Sequence, residues 1–151
     1  MAIASFEDLC SAVCELGGAP VPALARDATG CLAVELALGD VRVTLTHEPS
    51  RSDSHFFLMA AFGPLPIGNE LAACQALMDA NAALLAHGGP CFSLHPLTHE
   101  VTLQHACPLD QATPHELYGQ LQSLAAIARD VRERVFAASG PAGRSATGEM
   151  A

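Results

Sequence analysis

Apolar positions recur about every 3.6 residues in SFEDLCSAVCELGG, where Phe6, Leu9, Cys10, Val13 and Leu16 fall into one stripe. Ser5 and Asp8 stand at its start in capping-box spacing and Gly17-Gly18 at its end, so the pattern predicts a helix. A Pro-containing link then leads into a different rhythm. Leu32, Val34, Leu36 and Leu38 alternate with other residues, as do Val41, Val43 and Leu45, across Gly39-Asp40, which predicts a tight β-hairpin. The next run, HFFLMAAFG, is apolar on both faces: Phe56, Leu58 and Phe62 on one, Phe57 and Met59 on the other. A strand of that kind needs cover on both sides.

Gly63-Pro64 and Pro66 break the chain before a second helix, NELAACQALMDANAALLAHGG. Leu71, Cys74, Leu77, Met78, Leu84 and Leu85 lie on one side of it, with Asn81 among them, and His87-Gly88-Gly89-Pro90 stops it. CFSLH and VTLQH flank PLTHE as a second hairpin. Thr113, Pro114 and Glu116 open a last helix whose stripe runs Leu117, Leu121, Leu124, Ala128, Val131, Val135. The reading is one α+β domain over 1–138 in the order α-β-β-β-α-β-β-α, with a small, polar, Gly- and Pro-containing tail at 139–151 expected to be disordered.

Composition narrows the function classes. The chain of 151 residues has seven basic residues, all arginine, against 16 acidic ones, for a formal charge of -9. Without lysine there is no Walker-type phosphate site, no Schiff base and no lysine general base. An acidic surface without a basic stripe disfavours nucleic acid. No apolar run is long enough for a membrane helix, and the N-terminus lacks the basic region of a secretory signal, so a cytoplasmic protein is expected. The six cysteines contain no CxxC pair and read as reduced thiols; Cys10 and Cys14, one helical turn apart, read as small buried hydrophobes.

Residues 87–108 hold four histidines and two cysteines, which raises the question of a metal. His99 and His105, six apart along a strand, stand roughly 20 Å from one another. His99-Glu100 lacks the second histidine of a zincin motif. Only His105 and Cys107, with Cys91 from across the hairpin, could combine, and they leave a zinc shell incomplete. The expectation is therefore no metal, no cofactor and no catalytic residue. Asn81, amid apolar neighbours, is either a functional hydrogen-bonding group or a satisfied polar group at a packed interface.

Three short motifs in order, D-x-x-G-C-L (Asp27, Gly30, Cys31, Leu32), FGPLP (62–66) and LMDANA (77–82), together with the element order, resemble the class I type III secretion chaperones of the CesT/SycE-like, or Tir chaperone, family. The likeness spans about residues 5–136. It departs from many relatives in having Val135-Phe136 where they carry a tryptophan, and in its tail. The resemblance implies a twisted antiparallel sheet flanked by helices in a homodimer that holds the N-terminal region of a secreted effector extended before export, with a secretion ATPase as a further partner and neither nucleic acid nor membrane. On that reading Leu77, Asn81, Leu84, Leu85, Phe92 and Leu94 form the dimer interface. Phe6, Leu9, Val13, Leu32, Val34, Phe57 and Met59 bind the effector. The competing readings are a small metalloprotein or enzyme using the His/Cys-rich hairpin, and a regulatory dimer of the same fold with no export client.

Overall fold

A computed structural model of the chain describes residues 5–138. The tail expected at 139–151 lies outside the described residues. The elements follow the hydropathy pattern: α1 (Phe6–Leu16), β1 (Leu32–Leu38), β2 (Val41–His47), β3 (His55–Pro64), α2 (Glu70–Leu85), β4 (Cys91–Leu94), β5 (Glu100–Pro108), a short 3-10 turn, and α3 (Pro114–Ala138). The strands form one antiparallel sheet in the order β1-β2-β3-β5-β4. This is the α+β fold that the order of elements predicts.

Local chemistry fixes where the elements begin. Ser5 Oγ accepts from the Asp8 amide at 3.1 Å and caps α1. Thr113 caps α3 through its hydroxyl, which accepts from the Glu116 amide at 3.4 Å and donates to the Glu116 carboxylate at 2.9 Å. Asp27 organises the lead-in to β1: its Oδ1 accepts from the Thr29 hydroxyl at 2.6 Å, the Thr29 amide at 2.8 Å and the Cys31 amide at 3.0 Å. Those donors, the Thr29 hydroxyl foremost, hold the Asp27 carboxyl below the usual carboxylate range. The backbone then turns through Gly30 at φ +81°, a conformation that only glycine adopts without strain.

Alternation along the strands gives the sheet two unlike faces. The inner face carries Leu32, Val34, Leu36, Val41, Val43, Leu45, Phe56, Leu58, Ala60, Phe62, Phe92, Val101 and Leu103, all buried. They meet Phe6, Leu9 and Val13 of α1, Ala73 and Leu77 of α2, and Leu117, Leu121, Leu124, Ala128, Val131 and Val135 of α3 in one core. Each Val, Leu or Phe so covered contributes about 1.5–3 kcal/mol relative to its exposed state, which is what holds three helices on one side of the sheet. Near its end β3 bulges between Ala61 and Gly63. Arg132 of α3 takes carbonyl groups at this irregularity, donating to Ala61 O and Phe62 O, each at 2.7 Å.

Candidate functional site

Among the described residues no helix lies on the outer face of the sheet. The pattern of β3 calls for two-sided cover, yet only one side receives it: Phe56, Leu58, Ala60 and Phe62 are buried, whereas Phe57, Met59 and Ala61 are half-buried. Across the ladders Phe57 lies between Thr46 and Ala106, and Met59 between Thr44 and Gln104. The Arg51 guanidinium rests over the Phe57 ring, 4.2 Å from its centroid. The result is a short apolar strip bordered by small and neutral polar side chains, open along its length.

A second uncovered surface lies on α2. The helix is apolar on two sides. Ala73, Ala76, Leu77, Ala80 and Leu84 turn towards the core. Leu71, Met78 and Leu85 are 74%, 70% and 58% exposed, and with Cys74 and Asn81 they repeat at alternating three- and four-residue steps, which is one continuous seam along a helix. Beside the seam a groove of 190 Å³ runs between α2 and β4, lined by Leu65, Leu77, Met78, Phe92, Leu94 and Val101. Ile67 and Leu97, at the tips of the two loops next to Pro64 and Glu100, extend the exposed apolar surface at that end of the sheet.

These positions correct part of the sequence reading. Phe6, Leu9, Val13, Leu32 and Val34 are at most 3% exposed, so they fill the core of the subunit and line no open groove. Their periodicity marks the face that is covered, and α3 together with the inner sheet covers it. Of the seven residues expected to meet an effector, Phe57 and Met59 alone face outwards. Of the six expected at a dimer interface, Leu85 and Leu94 are exposed, Leu77 and Phe92 are buried beneath the groove, and Leu84 packs against the core. Asn81 is engaged with β4, its side chain bonded to the backbone of Phe92. Leu71 and Met78 belong to the exposed seam; the helical wheel lists them with the rest of the apolar side but gives no sign that this side divides in two.

The histidine-rich hairpin does not gather its donors. His105 pairs across the ladder with Leu58 and Cys107 with Phe56, on the inner face, whereas Cys91 pairs with Gln104 on the outer one. Among the described residues no three His, Cys, Asp or Glu side chains converge as metal ligands. The Cys107 thiol donates to Gln120 at 3.5 Å, and burial pushes it up to about 11. Burial, with Cys14 and Glu7 adding to it, pushes the Cys10 thiol up to about 12. Neither is a nucleophile at neutral pH.

One polar cluster escaped the sequence reading. Arg26 donates through Nε to Glu7 at 2.7 Å, and through Nη1 to the Gly30 carbonyl at 2.7 Å and to His47 Nδ1 at 3.1 Å. Arginine only donates, so Nδ1 is the unprotonated ring nitrogen, and Nε2 donates to the Asp53 carbonyl at 3.2 Å. The His47 ring stacks at a tilt on Phe6, centroids 5.3 Å apart. The cluster ties α1, the link to β1 and the β2–β3 loop together. Partners 19 and 21 residues away leave no local signal in the sequence.

Comparison with known proteins agrees with this architecture. Residues 21–132 match the family model described as the Tir chaperone protein (CesT) family. No curated protein matches the chain. Among solved structures, the fold is similar to a chain of the ExsC–ExsE complex, with 21% identity, a TM-score of 0.66, and 85% of this chain and 92% of that one covered. It is also similar to a chain of the HopA1–SchA chaperone–effector complex, at 16% identity and TM-score 0.64 over 85% and 93% of the two chains. A third is in the ExoU–SpcU heterodimeric complex of the type III secretion system of Pseudomonas aeruginosa, at 12% identity and TM-score 0.58 over 85% and 95%. At these identities the likeness is one of fold.

Proposed function

The chain belongs to the Tir chaperone protein (CesT) family, and from that premise we propose that it is a cytoplasmic type III secretion chaperone: a homodimer that binds the N-terminal, unstructured region of a secreted effector, keeps it extended and soluble, and makes or breaks no bond. The observation that carries the reading is the outer face of β3. A sequence that asks for cover on both sides of a strand receives it on one, and an extended peptide laying apolar side chains on Phe57 and Met59 supplies the rest. The solved relatives named above are themselves complexes, one of them a chaperone with its effector.

The seam on α2 supports pairing with a second copy, since a two-fold interface needs a patch complementary to itself and Leu71, Met78 and Leu85 form a straight apolar line. Charge supports the nature of the client. Arg26, Arg42, Arg129 and Arg134 pair with carboxylates, Arg132 is committed to backbone carbonyls and Arg51 to Phe57, while the chain carries an excess of acid. A basic client segment is favoured over an acidic one. A secretion ATPase is the proposed recipient of the loaded complex. Among the described residues no helix is long and apolar enough to cross a membrane.

Co-purification with the N-terminal segment of the effector encoded nearest to it tests the reading. Phe57→Asp and Met59→Asp, each placed on an outward strand position, lower capture by about tenfold or more while circular dichroism and the assembly state stay as in the wild type. Unchanged capture by both folded variants removes the outer face from the client site.

A further inference from the structure

A sheet ends on two strands, each leaving a row of backbone N–H and C=O groups that a strand from another chain can pair with. In this molecule the two ends differ. Phe92 of β4 stands opposite Leu103, and its N–H and C=O point away from β5. Both are taken by one side chain: Asn81 Oδ1 accepts from the Phe92 amide at 2.6 Å, and Asn81 Nδ2 donates to the Phe92 carbonyl at 3.1 Å. A carboxamide offers one acceptor and one donor side by side, the pair that an incoming strand would bring to that residue. With β4 only four residues long, this occupies the centre of its free side.

At the other end nothing comparable is found. The β1–β2 hairpin closes through a two-residue turn on Leu38 and Val41, so Leu38, Leu36, Val34 and Leu32 bond to β2, and the backbone of Ala33, Glu35 and Ala37 turns outward. Among the described residues, no loop or side chain is bonded to those outward groups. All three residues are exposed.

We propose that Asn81 closes the β4 edge to strand addition, so that this sheet does not pair edge to edge with a second copy of the chain through β4.

Amide hydrogen exchange on the wild-type full chain shows the Phe92 N–H protected like the ladder amides, with the Glu35 N–H exchanging about tenfold faster or more. Asn81→Ala raises Phe92 exchange by a similar factor and adds concentration-dependent association, seen by sedimentation, beyond the wild-type state. Adding Leu94→Pro, which deletes an outward N–H without touching the β4–β5 ladder, restores wild-type sedimentation. A rapidly exchanging Phe92 amide in the wild type, unchanged association in Asn81→Ala, or association that survives in the double variant each overturns the proposal. Should Asn81→Ala fail to fold, Asn81→Asp, which keeps the acceptor and loses the donor, takes its place in the same comparison.

Discussion

Arg26 bonds to three parts of the chain, and what it does for stability depends on the protonation of its partners. Its guanidinium, donating to Glu7, holds that carboxyl below its ordinary value of 4.5. A carboxyl depressed in the folded state contributes fully above its unfolded value and loses that contribution as the pH falls through the lowered folded one. Both side chains are about one-third exposed, so the pair is worth about 1 kcal/mol or less. Glu7→Gln is therefore expected to lower stability slightly at pH 7, and its difference from the wild type to shrink as the pH falls below 4.5, as read by urea titration at a series of pH values. Thiol chemistry gives a second residue-level expectation. Cys10 and Cys107, buried and held protonated, resist alkylation of the native protein, while Cys91, half-buried and outside the α2 seam, reacts before them; mass spectrometry of partially alkylated protein gives the order.

At the scale of elements, α2 joins the core to the proposed dimer. Its inner side is fixed by packing: Leu77→Ala is expected to cost about 2–4 kcal/mol in chemical denaturation because it removes buried apolar contacts and leaves a cavity beneath the groove. On its outer side Leu71, Met78 and Leu85 are left exposed by the subunit. Met78→Glu is expected to leave the subunit folded and to produce monomer by sedimentation, and a variant that stays dimeric refutes α2 as the interface. The same helix shows how far the sequence can be read. Caps, turns and periods located all eight elements, because local hydrogen bonding and side-chain spacing are written in neighbouring residues. Whether an apolar side faces its own core or another chain depends on contacts such as Leu77 with Phe92, which no local pattern encodes. Phe6, Leu9 and Val13 were legible as a stripe, and their burial became visible only with α3 laid across α1.

For the whole molecule, the layout is a sheet with helices on one side and open backbone, aromatic ring and thioether on the other. Cohesion comes from the covered half and recognition from the bare half. The acid excess lies over a surface whose described arginines are already engaged, so capture of a basic client segment is expected to weaken as salt rises, with most of the change in the association rate, and stopped-flow binding at about 50 and 500 mM salt measures it. A salt-independent association rate would assign recognition to the apolar strip alone. The family was legible from three short motifs because each serves the backbone: Asp27 shapes the start of β1, Gly63 sits at the bulge, and Asn81 joins α2 to β4. The client surface was less legible, since an outward Met59 and an inward Leu58 differ only in which way a strand happens to face.

The oily line along α2 also bears on the life of a newly made chain. A molecule that finishes folding before it meets a twin displays Leu71, Met78 and Leu85 to the surrounding fluid, the kind of greasy signature that proteolytic surveillance removes. Scarcity would then shorten its own half-life, and abundance would prolong it, so the cell's stock of this protein would rise steeply once synthesis passed the level at which encounters outpace destruction.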